Sequence, residues 1–339
     1  SFFVYLFQQA LQDVLGEVRA EKAAAVLQLL HGKGGTVGKL LLEKGDYDKV
    51  MFTGGKASGA IISKLAGARV RPVSLELEGH AAIILMDDFD IDRAVSEAIA
   101  AGFGDAGQRC VALRTVYAHQ KIYDEFVTRL IEKTRALRIG DPMAKTTDMG
   151  PIVNSAALKE IKEAIAEAKR AGAKVAYGGS EIDISGDLKG GHFMEPTILT
   201  SVSSRNPIMK REIFGPIISV ISFSGETREE AIFNAVKMVN SSSYGLSNAI
   251  MTTDINLAMK AMERVKTGVL YIGRGTTGAE EGKPFGGVKD SGFGREAGGL
   301  DEVTYLKQVY VDYHGKPRMA NMADADIIMK RVEEVDRLL

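Results

Sequence analysis

Val50-Met51-Phe52-Thr53-Gly54-Gly55 is a short apolar run that ends in a glycine pair, and Ile61, Ile62 and Leu65 follow it at helical spacing. The reading is strand, tight turn, helix. Such a turn aims backbone N–H groups and the helix dipole at an anion, so Gly54, Gly55 and Ser58 are candidates to face the pyrophosphate of a dinucleotide. The alternative is a tight connection with no ligand.

The same rhythm continues on both sides. Val26–Leu30 is a strand candidate, and residues 31–36 turn into a helix. Residues 83–86 read as a strand, 91–103 as a helix opened by Asp88 or Asp90, and 115–118 as a strand. A helix over 122–137 puts Ile122, Phe126, Leu130 and Leu137 on one face. Leu158, Ile161, Ile165 and Ala168 form a second stripe before the strand 174–177. Thr227 and Glu230 have capping-box spacing. Strands alternating with helices make this an α/β chain.

With 339 residues there is room for two full cores. Lys and Arg number 43 against 44 Asp and Glu, a net charge of −1, so no basic field invites nucleic acid. No apolar run approaches the ~20 residues of a membrane span, and Phe2–Phe7 lacks the basic start of a signal peptide, which predicts a cytoplasmic protein off the membrane. The five histidines and one cysteine show no metal-ligand spacing.

That cysteine, Cys110, lies in Gly107-Gln108-Arg109-Cys110-Val111-Ala112-Leu113. A lone cysteine is either a small buried apolar residue or a nucleophile. As a nucleophile it needs positive charge, aimed N–H groups and solvent access, and Arg109 and Gly107 are placed to supply two of these.

Four ordered motifs favour the nucleophile. Val73-Ser74-Leu75-Glu76-Leu77-Glu78-Gly79-His80 stands before Cys110, with Glu76 34 positions upstream. Glu212-Ile213-Phe214-Gly215-Pro216 follows, and then Lys283–Glu296, KPFGGVKDSGFGRE. Lesser landmarks agree, among them Gly140-Asp141-Pro142, Pro196-Thr197 and Tyr244-Gly245-Leu246. From residue 30 to 313 the chain resembles the aldehyde dehydrogenase superfamily.

The resemblance implies a truncated Rossmann-like coenzyme domain, partial over 1–75 and 267–300, and an α/β catalytic domain over 76–266. A C-terminal β arm over 301–316, where Val309, Val311 and Tyr313 alternate with polar residues, would cross to a neighbouring subunit, followed by a helical tail over 317–339. It implies Cys110 as nucleophile and Glu76 as general base. Leu77, Glu212 and Phe214 would join Gly54, Gly55 and Ser58 around NAD or NADP. Arg274 would anchor the far end of an acidic or polyhydroxylated aldehyde, such as a semialdehyde or glyceraldehyde type, with Arg109 beside the nucleophile as a second substrate contact; alternatively Arg274 pairs with Glu280 or Glu281.

Departures from the family pattern are equally specific. Residues 1–29 show neither the first strands of the coenzyme domain, nor the oxyanion Asn, nor the Lys-x-x-Glu that contacts ribose. Glu78 stands where glycine is usual and would raise the pKa of Glu76 if it pointed inward. Gly55 and Gly273 stand where Ser and Asn are common. Two readings follow: an aldehyde dehydrogenase, or a truncated non-dehydrogenase relative serving as an oligomeric binding or structural subunit with at most residual thiol esterase activity. A homo-oligomer, dimer or tetramer, is expected, with Phe2–Phe7 buried and Ile328–Leu339 docking on a subunit or remaining an amphipathic tail.

Overall fold

The longest apolar runs form the middle of the main sheet. In the computed structural model, which describes residues 2–15, 27–280, 282–294 and 300–311, seven strands lie side by side. Their order is β12 (Val269–Ile272), β11 (Ser247–Met251), β3 (Ala81–Leu85), β4 (Leu113–His119), β9 (Ile217–Phe223), β8 (Thr197–Thr200) and β5 (Lys174–Tyr177). All neighbours are parallel except β5, an antiparallel edge on β8. A parallel strand covered on both faces reads as a continuous apolar run, and every residue of β3 and of β4 is buried.

Alternate side chains of those strands serve opposite faces. Ile83, Leu85, Val116 and Ala118 join the core made with α4 (Ile91–Phe103), α5 (Tyr123–Arg135) and α6 (Ser155–Arg170). Ala82, Ile84 and Tyr117 join the core under α7 (Arg228–Asn240) and α8 (Ile255–Met262). Cap chemistry sets where the helices start. Asp90, and not Asp88, accepts from the Arg93 N–H at the head of α4. Thr227 caps α7 at Glu230 N–H, and the Glu230 carboxylate returns to Glu226 N–H.

A second sheet has three strands. β1 (Val50–Thr53) runs parallel to β2 (Val73–Glu76), and β14 (Gly292–Phe293) pairs antiparallel with β2, placing Gly292 opposite Glu76. Here the late glycine-rich motif acquires its reason. Gly292 has φ 129°, and a Cβ on it would lie 1.9 Å from the Leu75 carbonyl oxygen, so only glycine lets the motif close against the strand that carries Glu76. Arg295 and Glu296 lie outside the described residues. α3 (Lys56–Gly67) follows β1 through Gly54-Gly55 as the sequence predicts, and α2 (Lys39–Lys44) follows a π-helical turn at Gly34–Gly38. Of the segment 267–300, β12 belongs to the large sheet and β14 to the small one. Short pairs β6 (Glu181–Ile182) with β7 (Phe193–Met194), and β10 (Tyr244–Gly245) with β13 (Val288–Lys289), complete the strands.

Three expectations differ from the structure. Residues 27–30 form no strand, and Leu29 and Leu30 face solvent; Val26 lies outside the described residues. Phe2–Phe7 belongs to a helix, α1 (Phe2–Leu15), and is exposed, with Phe3 81% accessible. The chain divides into two units, 1–303 and 304–339. In the second, residues 304–311 form no strand and Val309, Tyr310 and Val311 are exposed; a strand requires a partner strand for its hydrogen bonds. Tyr313, the tail 317–339 and its Ile328–Leu339 face lie outside the described residues.

Candidate active site

The site forms between the end of the small sheet and the segments that lead into the large one. Thr53 and Glu76 close the C-terminal ends of β1 and β2, the side of a parallel sheet where ligands bind. Facing them are the segments that lead into β3, β4 and β9: Leu77–His80, Arg109–Ala112 and Glu212–Pro216. A pocket of about 360 Å3 opens between them, lined by Gly54, Gly55, Leu77, Glu78, Cys110 and Glu212, with Phe214, Thr53 and Glu160. Five of the six residues expected around the cofactor thus surround the candidate nucleophile. Ser58 does not. It lines a separate cavity of about 840 Å3 on the apolar side of α3, with Gly34, Gly38, Phe52, Ile61 and Leu65.

Cys110 is positioned by a left-handed turn. Asp105, Ala106 and Gly107 have φ of 51°, 53° and 67°, a conformation that side chains other than glycine adopt at a cost. At Gly107 a Cβ would meet the Gly215 carbonyl oxygen at 2.3 Å, so this glycine lets the cysteine loop approach the Glu212–Pro216 segment. Gln108 secures the other side: its amide donates to the Asp105 and Pro151 carbonyls, and its oxygen accepts from Val153 N–H.

Arg109 does not supply the charge the sequence suggested. Its guanidinium is ion-paired with Asp105 one turn back. Burial pushes the Cys110 thiol up, and the Glu212 carboxylate and, more weakly, Glu76 push it further, against the backbone N–H groups of Cys110 and Val111. The resting group is a thiol, with N–H donors aimed to receive it as a thiolate.

Glu76 is 4% exposed at the end of β2 and is not among the residues that line the pocket. Glu78 turns away from it: one carboxylate oxygen accepts from Lys56 N–H at 3.0 Å and the other from the Tyr244 hydroxyl at 2.7 Å. Its charge is felt by Glu212 and Tyr244.

The residue sequence reasoning missed is Arg114. Buried in β4, it donates to the carbonyls of Gly215 at 2.9 Å and Arg109 at 3.1 Å, and pairs with Glu212 at 3.1 Å. One side chain thereby ties the cysteine loop to the Glu212–Phe214 segment. Burial pushes the Glu212 carboxyl up to about 7, while Arg114 and the Gly79 N–H pull it down. The signal was available: a charged residue inside the apolar run Ala112–Ala118 must have a partner. His80, buried beside Thr115 at 3.0 Å, is lowered to about 4 by burial and by Arg114.

Arg274 is exposed. Its guanidinium stacks over Tyr271 at 5.1 Å and donates to the Thr277 carbonyl, and its loop is joined to the cysteine loop by Thr276, whose hydroxyl donates to the Val111 carbonyl at 2.8 Å. Glu281 lies outside the described residues. Among the described residues, no group of three His, Cys, Asp or Glu side chains is arranged to hold a metal ion, and no helix is long and apolar enough to cross a membrane.

Comparison with known proteins places this arrangement. D-glyceraldehyde dehydrogenase (NADP(+)) of Thermoplasma acidophilum is 34% identical over 91% of this chain and 62% of its own length. Peroxisomal aminoaldehyde dehydrogenase 1 of Pisum sativum is 36% identical over 87% of this chain and 58% of its own length. The chain therefore spans about three fifths of the length of these relatives. Among solved structures, the NAD+ complex of an aldehyde dehydrogenase from Bacillus cereus superposes with a TM-score of 0.77 at 32% identity, covering 83% of this chain and 55% of that one. The lactaldehyde dehydrogenase of Escherichia coli gives 0.73 at 35% identity, over 79% and 54%. The profile of the Aldehyde dehydrogenase family matches residues 6–309, a span that takes in every motif around Cys110, and the chain belongs to that family.

Proposed function

We propose that this chain carries the catalytic machinery of an NAD- or NADP-dependent aldehyde dehydrogenase, which oxidises an aldehyde to a carboxylic acid. The observation that carries the reading is the pocket itself: one thiol, backed by aimed N–H groups, faces Glu212, Phe214 and the Gly54–Gly55 turn. The named activities of its relatives favour oxidation over a purely structural role.

The residues present fit a dinucleotide. A Cβ on Gly34, Gly35 or Gly38 would meet nothing within 4 Å, so the 840 Å3 cavity has an open glycine rim. Phe214, 44% exposed at the smaller pocket, offers a flat apolar surface for a ring. Gly54, Gly55, Ser58, Leu77, Glu212 and Phe214 would hold it. When bound, it supplies the hydride acceptor.

Cys110 Sγ gives its proton to solvent water and adds as the thiolate to the aldehyde carbon, and the N–H groups that favour the thiolate also face the oxyanion of the resulting thiohemiacetal. Oxidation of that adduct leaves a thioester on the sulfur. Glu76 takes a proton from the water that cleaves it, releasing the acid and restoring the thiol. We assign 1–75 and 267–300 to a partial dinucleotide-binding domain and 76–266 to the catalytic domain, whose Leu77, Glu212 and Phe214 reach the cofactor from the catalytic side.

The substrate class we favour is an acidic or polyhydroxylated aldehyde, with Arg274 toward its far end and Arg109 beside the nucleophile. The Thr276–Val111 link, which holds the Arg274 loop against the cysteine loop, and the glyceraldehyde dehydrogenase relative support this. A homo-oligomer, dimer or tetramer, joined through the exposed Val309–Val311 stretch and working in the cytoplasm completes the proposal. Replacing Cys110 with Ala tests the central step: aldehyde-dependent reduction of NAD or NADP should fall to background, and retained turnover would remove Cys110 from the mechanism.

A further inference from the structure

The Gly54-Gly55 turn leaves the first N–H groups of α3 without a side-chain cap of its own, because Gly55 is the capping residue. Glu78 fills that role from a different part of the chain. Its Oε1 accepts from Lys56 N–H at 3.0 Å, and its Oε2 is held by the Tyr244 hydroxyl at 2.7 Å. Both carboxylate oxygens are thus engaged.

The support behind Glu78 is rigid. Tyr244 is buried, and its strand β10 pairs with β13. On the other side, Gly79 packs so closely on the cysteine loop that a Cβ would lie 2.4 Å from the Cys110 carbonyl oxygen, which fixes the backbone that carries Glu78. A Cβ on Gly55 would sit 3.4 Å from Glu78 Oε1, so the carboxylate lies directly over the turn.

Among the described residues no cationic side chain lines the pocket: Lys56 sends its ammonium to Asp290 at 2.7 Å, and the charged side chains lining the pocket are Glu78, Glu160 and Glu212. An incoming phosphate would meet a carboxylate already seated on the N–H it needs.

We propose that Glu78 is an internal competitor for the phosphates of the dinucleotide: it occupies the anion-binding N–H at the head of α3, latched by Tyr244, and must leave before the pyrophosphate can settle there. Glu78 then determines affinity for every ligand carrying that pyrophosphate and for none that lacks it. This rests on the dinucleotide reading given above.

The test is isothermal calorimetry on the whole chain and on Glu78→Gln and Glu78→Gly, with NAD, NADP, ADP-ribose and adenosine as probes. Glu78→Gln keeps the shape and removes the charge, and Glu78→Gly removes the side chain. Circular dichroism confirms that each variant is folded. The expected result is that both variants bind NAD, NADP and ADP-ribose about tenfold more tightly than the parent chain, with adenosine unchanged. Equal or weaker binding of the pyrophosphate ligands by folded variants, while the parent binds NAD or NADP, overturns the competitor role and leaves the cofactor reading standing. An equal gain for adenosine overturns it too, since that would report general loosening. Failure of all three proteins to bind NAD, NADP or ADP-ribose overturns the cofactor reading and this proposal together.

Discussion

The two sheets that meet at Cys110 are built to different standards of enclosure. Every residue of β3 and β4 is buried between two helical layers. In the small sheet β1 alternates between half-buried and exposed, with Met51 48% accessible, and α3 leaves Ile61 62% accessible. The difference divides the labour of the site. Groups that act on the thiol, Glu212 and Arg114, are set in the enclosed side, where geometry is fixed and charge interactions are strong. The Gly54-Gly55 turn and Ser58, also assigned to the dinucleotide, sit on the open side, where charges are screened and the backbone has fewer constraints.

The largest expected effect contrasts an ion pair from each side. Arg114 and Glu212 are 4% and 6% exposed, while Lys56 and Asp290 are 53% and 38% exposed. Arg114→Ala strands a buried carboxylate together with the carbonyls of Arg109 and Gly215, and should cost about 3–5 kcal/mol of unfolding free energy. Lys56→Ala should cost about 0–1 kcal/mol. Urea unfolding of both variants reads the gap directly. Losses of similar size would dissolve the distinction between the two sides.

The next effect is a pH dependence confined to the enclosed side. The folded pKa of His80 is about 4 against 6.5 when free, so the folded state binds that proton more weakly. Its contribution is complete above pH 6.5 and is lost as pH falls toward 4, about 3 kcal/mol in total. Glu212 has the opposite sign. Its folded value, about 7 against 4.5, gives a contribution present below pH 4.5 and lost as pH rises through 7. Between pH 4.5 and 6.5 the two oppose each other. His80→Gln removes one of them, so its stability, followed by thermal unfolding across buffers, should fall as pH rises from 4.5 to 7 more steeply than that of the parent. Parallel profiles would mean that His80 does not titrate in the folded core.

The enclosed side was also the legible side. Strands at 83–86 and 115–118, helices at 91–103 and 122–137, and the Thr227 cap were readable because burial on two faces writes continuous apolar runs and helical stripes into the sequence. The open side misled. Leu29 and Leu30 carry strand-like composition with no partner to enforce a strand, and the apolar run Phe2–Phe7 has no periodicity to separate helix from strand. Motif order singled out Cys110, Glu212, Phe214 and the glycine turn, and the structure brings them to one pocket. It could not show contacts between residues 98 or 166 positions apart, Arg114 with Glu212 and Tyr244 with Glu78, since neither pair shares a local pattern. Arg109 misled for the same reason in reverse: adjacency in sequence to the cysteine says nothing about a guanidinium that folds back onto Asp105.

The smallest effect bears on the thiol itself. After burial, the Glu212 carboxylate is the strongest influence raising the Cys110 pKa, and Glu76 acts in the same direction more weakly. Glu212→Gln removes a negative charge from the enclosed side while leaving an oxygen for Arg114 to bind, so the thiol should ionise at lower pH. Thiolate is the reacting form. Alkylation of Cys110 by iodoacetamide at pH 8 should therefore accelerate about three- to tenfold in Glu212→Gln and by less in Glu76→Gln. Asp290→Asn changes a charge on the open side that does not act on the thiol, and the rate should stay at the parent value. Single-site labelling is unambiguous because the chain has one cysteine. A Glu212→Gln rate at or below the parent's would show that the carboxylate assists ionisation of the thiol instead of opposing it, and would make Glu212 a candidate proton acceptor for Cys110.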